Sequence, residues 1–324
     1  MKAVVYERYG PPEVLHVALV EKPVPKENEI LIRVRAAEAT KSDCEMRKCR
    51  FAVKWFWLPM RLVLGIRKPK RQILGGYFAG EVEDVGKKVS RFKKGDRVFG
   101  SARLRLGSYG EYMCLPEDFT ITQMPSNLSF EEAAAVPLGG LNALHFMRLA
   151  NIKTGEKVLV NGAGGSIGTF GIQIAKAMGA EVTAVDRGIK KEMLLGIGAS
   201  HFIDYEKEDF TGSGKSYDVI FSMVAGVSYS GCMNVLNPGG RYVTANPVAA
   251  GMLRAPFTSL FTDRKAIFAF AGEKEEELLA LKRMIEERKI KPVVDKIYPM
   301  EQAGEAHRRV EAEERLGSIV IRTG

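Results

Sequence analysis

The chain has 324 residues, of which 46% are hydrophobic and 27% are charged. Ordinary domains hold roughly 100–200 residues, so two domains are expected, and no apolar run reaches the roughly 20 residues of a membrane span. The formal net charge of +9 would suit a nucleic acid or an anionic membrane. However, the basic residues are scattered except between Arg61 and Arg71, so neither partner is expected, and the charge favours solubility and attraction of an anionic cofactor.

Short strands interrupted by turn residues are predicted up to about Pro125. The N-terminal run Met1–Tyr6 is predicted to be the first strand. It lacks the long apolar stretch and cleavage site of a secretory signal, so a cytoplasmic location is expected. Further strands are predicted at Glu29–Arg35, Gly80–Gly86, Lys94–Gly100 and Gly110–Leu115, from partial alternation and glycine turns.

Beyond Pro125, strands alternate with helices. Ser129 and Glu132 form the capping box of a first helix. Helices are then predicted at 167–178, 190–197 and 275–288, and strands at 157–161, 181–185, 201–203, 218–221 and 241–244. This alternation predicts an α/β fold with a parallel, doubly wound sheet. The closing run Ser318–Ile321 is predicted to be a strand that rejoins the first domain.

The segment Phe51–Ile66 fits neither pattern. Its large apolar side chains are Trp55, Phe56, Trp57, Leu58, Met60, Leu62, Val63 and Leu64, and Arg67, Lys68, Lys70 and Arg71 follow it. Pro59 is expected to break the segment into two short helical pieces. Three interpretations stay open: a lid whose rings stack on a substrate, a helix pair packed on the first domain, and an anchor on anionic lipid.

The strongest chemical signal is a glycine turn between a buried strand and a helix. The residues assigned to the cofactor phosphates here are Gly162, Ala163, Gly164, Gly165, Ser166, Ile167 and Gly168. Glycines let a pyrophosphate approach the backbone, and the helix N-terminus supplies N–H groups and positive dipole. The order of strand, turn, helix, second strand and acid predicts a dinucleotide site.

That acid is Asp186, at the end of the second strand, where a carboxylate binds the ribose hydroxyls. It repels the 2′-phosphate of NADP, whereas the neighbouring Arg187, Lys190 and Lys191 could neutralise it. The balance favours NADH, with Asp186, Arg187 and Lys191 as cofactor residues, and leaves NADPH possible.

The chain resembles a medium-chain dehydrogenase/reductase and is similar to the zinc-free quinone oxidoreductases. The resemblance covers essentially the whole chain and is carried by Lys2–Tyr6, Ala79–Val82, Lys94–Gly100, Glu132–Leu138 and the glycine turn. It implies a GroES-like catalytic domain at 1–124 and 291–324, a Rossmann domain at 125–290, and a homodimer.

The resemblance also implies that no metal is bound. Thr40 occupies the position of the first zinc ligand, Gly76 and Tyr77 occupy the His-Glu pair, and Gly139-Gly140 lie where the last ligand falls. Zinc requires thiolate, imidazole or carboxylate ligands. Without a Lewis acid to stabilise an alkoxide, the favoured substrates are quinones and α,β-unsaturated carbonyls, whose π systems spread the incoming charge.

The same resemblance supplies the remaining site residues. Thr40, Asp43 and Tyr77 are the catalytic candidates, although Thr40 and Asp43 could equally form a helix cap and Tyr77 could simply pack in an interface. Asn142, Tyr205, Met223, Val224 and Asn246 are assigned to the cofactor, the last three because strand ends line the ligand crevice.

Two other functions stay open. One is a carbonyl or enoyl-thioester reductase of the same superfamily, and the other is a non-enzymatic relative that binds a nucleotide or RNA. The four cysteines, Cys44, Cys49, Cys114 and Cys232, include no C-x-x-C pair and are interpreted as reduced thiols.

Overall fold

The computed structural model describes residues 1–51, 57–246, 249–269 and 272–324. The chain divides into two compact units: Met1–Leu138, Glu273–Glu287 and Pro292–Gly324 form the first, and Gly139–Gly272 and Arg288–Lys291 form the second. The domain boundaries predicted at 125 and 291 stay a prediction. The contacts place 125–138 and 273–287 in the first unit, where Asn127 Nδ2 donates to Ile285 O at 3.0 Å.

The described part of the chain contains strands β1–β15 and helices α1–α10. The strands are β1 (Lys2–Val5), β2 (His16–Leu19), β3 (Glu29–Ala39), β4 (Tyr77–Val85), β5 (Arg97–Ser101), β6 (Tyr112–Pro116), β7 (Ile121–Gln123), β8 (Lys157–Asn161), β9 (Glu181–Asp186), β10 (His201–Asp204), β11 (Tyr217–Ser222), β12 (Leu236–Thr244), β13 (Lys265–Phe268), β14 (Val294–Pro299) and β15 (Ser318–Arg322). The helices are α1 (Lys41–Lys48), α2 (Trp57–Leu64), α3 (Phe130–Ala134), α4 (Val136–Ala150), α5 (Ser166–Ala177), α6 (Lys191–Gly196), α7 (Tyr229–Asn234), α8 (Ala249–Phe261), α9 (Glu275–Glu286) and α10 (Ala303–Glu311).

The first unit is built on a seven-stranded sheet in the order β14-β15-β3-β4-β5-β7, with β6 also paired to β3. Strand β15 runs antiparallel to β3 and pairs Ile319 with Ala39. The prediction that the C-terminal strand rejoins the first domain is therefore confirmed. Because β15 covers one end of β3, the chain leaves β3 at Thr40 beside the C-terminal segment.

The second unit is a parallel sheet in the order β10-β9-β8-β11-β12-β13, which is the doubly wound arrangement predicted from the sequence. Val158, Leu159 and Val160 of the central strand β8 have no exposed surface, as expected for a strand covered by helices on both faces. The strand order reverses between β8 and β11. Ligands bind at the carboxyl ends of the strands where such a reversal occurs.

Helix α3 begins with the predicted capping box. Ser129 Oγ accepts from Glu132 N at 3.2 Å, and Glu132 Oε2 accepts from Ser129 N at 2.9 Å. A cap of this kind contributes about 1 kcal/mol to helix stability.

The aromatic segment Phe51–Ile66 is described in part, because Trp55 and Phe56 lie outside the described residues. Helix α2 runs from Trp57 through Pro59 to Leu64, so the predicted break at Pro59 is wrong. Pro59 lies in the first turn of the helix as described, where the missing N–H of proline costs no intrahelical hydrogen bond.

Two further observations concern membrane spans and thiols. Among the described residues, no helix combines the length and the apolar composition that crossing a bilayer requires. All four cysteines are buried and free, in agreement with their interpretation as reduced thiols.

Candidate functional site

The glycine turn joins β8 to α5 with little space between backbone segments. Gly162 N and Ala163 N both donate to Val185 O, at 3.1 and 3.2 Å, which ties the turn to the end of β9. Gly162 has φ +80°, a left-handed conformation that favours glycine. A Cβ on Gly168 would lie 2.3 Å from Gly162 O and 2.5 Å from Ala163 O. Only glycine therefore lets the helix begin this close to the turn.

The N-terminus of α5 has the properties of an anion site. No side chain caps the helix at Gly165. The first N–H groups of a helix lack intrahelical acceptors and carry the positive end of its dipole. The arrangement of Gly165, Ser166, Ile167 and Gly168 therefore suits a pyrophosphate.

The carboxylate of Asp186 closes the turn from the end of β9. Its Oδ2 accepts from Gly164 N at 2.7 Å and its Oδ1 accepts from Arg187 N at 2.8 Å. Lys190 Nζ lies 2.8 Å from Oδ1, with the Lys190 and Asp186 side chains only 4% and 7% exposed. The side chain of Lys191 is exposed. The lysine that the fold brings to Asp186 is thus Lys190, four residues on, and the assignment of Lys191 to the cofactor stays a prediction.

Three neighbouring strand ends meet beside the same turn. Met223, after β11, donates its N–H to Asn161 O at 3.1 Å, and Asn246, after β12, donates from Nδ2 to Met223 O at 2.8 Å. A Cβ on Gly162 would lie 3.0 Å from Val224 Cγ2. These predicted cofactor residues therefore lie together at the point where the strand order reverses.

The other predicted cofactor residues lie around this group. Tyr205 N donates to Asp186 O at 3.3 Å, and the Tyr205 side chain is half-exposed. Arg187 Nε donates to Glu206 Oε1 at 3.0 Å. Asn142 lies on α4, three residues after Gly139, where a Cβ would lie 2.5 Å from Ser166 O. Helix α4 thus passes close to the start of α5.

In the first unit, Thr40 and Asp43 form the cap of α1. Thr40 N and Oγ1 donate to Asp43 Oδ2 at 3.0 and 2.6 Å, and Asp43 N donates to Thr40 Oγ1 at 3.0 Å. Gly75 N donates to Asp43 Oδ1 at 3.0 Å. Burial raises the pKa of the Asp43 carboxyl, and these hydrogen bonds oppose the rise. Asp43 is 1% exposed, so its contacts hold Thr40 in place.

A buried polar chain continues from Asp43 to α10. The Tyr109 hydroxyl bonds to Asp43 and lies 3.1 Å from His307 Nε2. Arg47 Nη1 lies 3.1 Å from His307 Nδ1, and Arg47 Nη2 also donates to Glu311. Because arginine is only a donor, Nδ1 must accept, Nε2 must carry the proton, and Tyr109 must donate to Asp43. The hydrogens donated from Arg47 Nη1 through His307 and Tyr109 therefore all point towards the Asp43 carboxylate.

Tyr77, a catalytic candidate, is hydrogen-bonded to Glu273. Its hydroxyl donates to Glu273 Oε1 at 2.7 Å, and Ser101 Oγ donates to Glu273 Oε2 at 2.8 Å. Burial and the Glu273 carboxylate raise the pKa of the Tyr77 phenol, so Tyr77 stays protonated. Glu273 has φ +44°, an uncommon backbone conformation for a residue other than glycine and one that clusters at functional sites.

Comparisons with known proteins agree with this geometry. The family model described as "Alcohol dehydrogenase GroES-like domain" matches residues 26–126 of this chain, and the model described as "Zinc-binding dehydrogenase" matches residues 197–321. A quinone oxidoreductase from Sus scrofa is 31% identical over 95% of this chain and 93% of its own length. The chain belongs to the quinone oxidoreductase-like group of the medium-chain dehydrogenase/reductase superfamily. It is an NAD(P)H-dependent oxidoreductase with a GroES-like domain and a Rossmann-like parallel sheet.

Two further relatives of this oxidoreductase indicate the range of the group. A 2-methylene-furan-3-one reductase from Solanum lycopersicum is 30% identical over 99% of this chain and 79% of its own length. The structure of an Escherichia coli quinone oxidoreductase complexed with NADPH superposes with a TM-score of 0.83 at 25% identity, covering 99% of this chain and 100% of the other.

Among the described residues of this oxidoreductase, no group of three or more His, Cys, Asp or Glu side chains is arranged to hold a metal ion. Thr40, Gly76 and Tyr77 occupy the positions that the resemblance assigns to zinc ligands, and neither threonine nor glycine nor a protonated phenol suits zinc.

Sequence reasoning missed several residues of this oxidoreductase. Glu273 carries no sequence signal, because it lies 196 residues from Tyr77 and reaches it only in the fold. His307 and Arg47 are 260 residues apart. Lys190 was considered only as a counter-ion for a phosphate, although its spacing of four residues from Asp186 already favours an ion pair.

Proposed function

We propose that this oxidoreductase transfers a hydride from NADH to a quinone or an α,β-unsaturated carbonyl without a metal ion. The observation that carries the proposal is an intact glycine turn in a chain that has Thr40, Gly76 and Tyr77 at the positions of the family's zinc ligands. When bound, the nicotinamide supplies the hydride. Conjugated acceptors delocalise the resulting charge, so they react without a Lewis acid.

The protein's own groups hold the reactants in this proposal. The N–H groups at the start of α5 bind the pyrophosphate. Thr40 Oγ1 donates its hydrogen to Asp43 in this structure, and it donates to a carbonyl oxygen of the substrate when that hydrogen turns away from Asp43. Tyr77 keeps its proton because burial and the Glu273 carboxylate raise the pKa of the phenol, and its hydroxyl becomes a second donor to the substrate when it turns away from Glu273.

The test of this reaction is oxidation of NADH by the purified protein in the presence of 1,4-benzoquinone or a 2-alkenal, with a saturated aldehyde of equal length as the control. Turnover with both conjugated acceptors, unaffected by a chelator, supports the proposal. Turnover with the saturated aldehyde alone, or loss of turnover on chelation, would reject it.

We further propose that NADH is preferred, because the Asp186 carboxylate would repel a 2′-phosphate. The Asp186→Ser variant should change the ratio of kcat/KM for NADPH to that for NADH by about 10-fold or more in favour of NADPH, since removing a charge repulsion of about 1.4 kcal/mol has that effect. Loss of Asp186 also leaves Lys190 free to bind the phosphate. The Asp186→Ser/Lys190→Ala double variant should therefore keep only the part of the gain that comes from removing the repulsion. An unchanged ratio in the single variant would show that Asp186 does not face the ribose.

We also propose that the protein is cytoplasmic and forms a homodimer. It acts on a small molecule and has no nucleic-acid partner in this proposal. The dimer is supported by three apolar side chains on α8, Leu253, Leu260 and Phe261, which are 73%, 75% and 79% exposed beside the edge strand β13.

A further inference from the structure

The net charge of the chain is concentrated in one segment. Residues 46–80 contain nine lysines and arginines and no acidic residue, so the 39 acidic residues of the chain are matched by the 39 basic residues elsewhere. The segment therefore accounts for the whole formal charge of +9. Arg67, Lys68, Lys70 and Arg71, which follow α2, have exposed side chains.

Helix α2, inside this segment, is apolar on its outer face as well as its inner one. Met60 and Leu64 are buried in the core of the first unit. The exposed apolar side chains are Trp57 at 46%, Leu58 at 60%, Leu62 at 55%, Val63 at 52% and, just after the helix, Ile66 at 63%. A surface helix of a soluble domain ordinarily turns polar residues outward. The only charged residue of α2, Arg61, places its guanidinium 4.5 Å from the centre of the Tyr9 ring.

We propose that the outer face of α2 and the four cations after it bind an anionic lipid surface. In this arrangement the apolar side chains enter the boundary between head groups and acyl chains, Trp57 lies at that boundary, and the cations meet lipid phosphates. The positive charge of the segment favours an anionic lipid surface over other occupants of this face. A second copy of the chain would bring an equally basic segment to the same face, and a neutral quinone beneath a lid gives no role to four exposed cations.

The test uses the tryptophans of the protein. Trp55 and Trp57 are the two tryptophans of the chain, so intrinsic tryptophan fluorescence reports on this segment alone. Titration of the full chain with vesicles of phosphatidylcholine and phosphatidylglycerol should shift the emission to shorter wavelength and carry the protein into the pellet on sedimentation. Vesicles of phosphatidylcholine alone should bind far less, and raising the salt concentration should release the protein.

Matched variants separate this surface from general basicity. The Arg67→Gln/Lys68→Gln/Arg71→Gln variant should bind about 100-fold more weakly, because each cation near an anionic surface strengthens binding about fivefold. The Lys87→Gln/Lys93→Gln/Lys94→Gln variant loses the same charge from exposed sites elsewhere and should bind as the unmodified protein does. Leu58→Gln/Leu62→Gln should abolish the spectral shift while leaving the circular dichroism spectrum unchanged.

Three results would overturn the proposal. The first is the absence of binding to the anionic vesicles, and the second is equal weakening in both charge variants. The third is a change in oligomeric state in Leu58→Gln/Leu62→Gln without vesicle binding by the unmodified protein, which would assign the face to a second copy. Since none of these measurements requires turnover, they stand apart from the proposed reaction.

Discussion

His307 is a buried residue whose protonation is linked to the stability of the fold. It is completely buried, and desolvation together with the nearby Arg47 lowers its pKa to about 3. In the unfolded chain its pKa returns to about 6.5. Between these values the unfolded state binds one more proton than the folded state, so the free energy of unfolding should fall by about 1.4 kcal/mol for each pH unit below 6.5.

The His307→Gln variant should flatten this dependence. Glutamine can accept from Arg47 through its oxygen and donate to Tyr109 through its nitrogen, but it does not titrate. Urea denaturation at several pH values between 4 and 7 measures the effect, and His16→Gln, at an exposed site, is the matched control. Equal slopes in the His307→Gln variant and the unmodified protein would show that His307 is not the buried neutral group described above.

The residues that the sequence could locate are those whose partners are close along the chain. The glycine turn and Asp186 form a local pattern of about 25 residues, and the fold gathers them at one edge of the sheet. The chain from Asp43 through Tyr109 and His307 to Arg47 joins residues 198 and 260 positions apart. No local periodicity encodes such pairs, so only the fold identifies them.

Among the elements, the junction of β8 and α5 is sensitive to the addition of a single methyl group. Gly168→Ala would place a Cβ 2.3 Å from Gly162 O, so α5 must move away from the turn. We expect at least a tenfold loss of NADH affinity, because the N–H groups proposed to bind the phosphate move with the helix.

Gly196→Ala is the control for this junction. Gly196 is the last residue of α6, and a Cβ there meets no atom within 4 Å. The control variant should keep its NADH affinity in a fluorescence titration, and its thermal stability should be unchanged or higher because alanine favours helix. Unchanged NADH affinity in Gly168→Ala would mean that the glycine turn is not the cofactor site.

The predicted elements were confirmed where hydrophobic runs and caps were clear and were wrong where proline and glycine were read as breaks. The strand predicted at 241–244 begins at Leu236 and passes through Pro238, Gly239 and Gly240. The pairing of this strand with β11 shifts register between Tyr217 and Val219. The shift accommodates the proline and the two glycines in the strand. The break predicted at Pro59 was wrong for a related reason. A proline interrupts a helix in its interior, whereas Pro59 lies in the first turn of α2 as described.

For the whole molecule, the proposed homodimer should depend on α8. Phe261→Asp would place a charge in the proposed apolar contact, so we expect the variant to sediment as a monomer in analytical ultracentrifugation. Leu19→Asp, at an equally exposed apolar site in the first unit, should leave the assembly unchanged. A monomer in the unmodified protein, or a dimer in Phe261→Asp, would contradict the proposed interface.

The central claim is that the hydride reaches a conjugated carbon and not the carbonyl carbon. Reduction of a 2-alkenal with NADH carrying deuterium at the transferable position of the nicotinamide tests it directly. The account predicts a saturated aldehyde with deuterium at the β carbon and a proton from solvent at the α carbon. An allylic alcohol with deuterium at the former carbonyl carbon would contradict it.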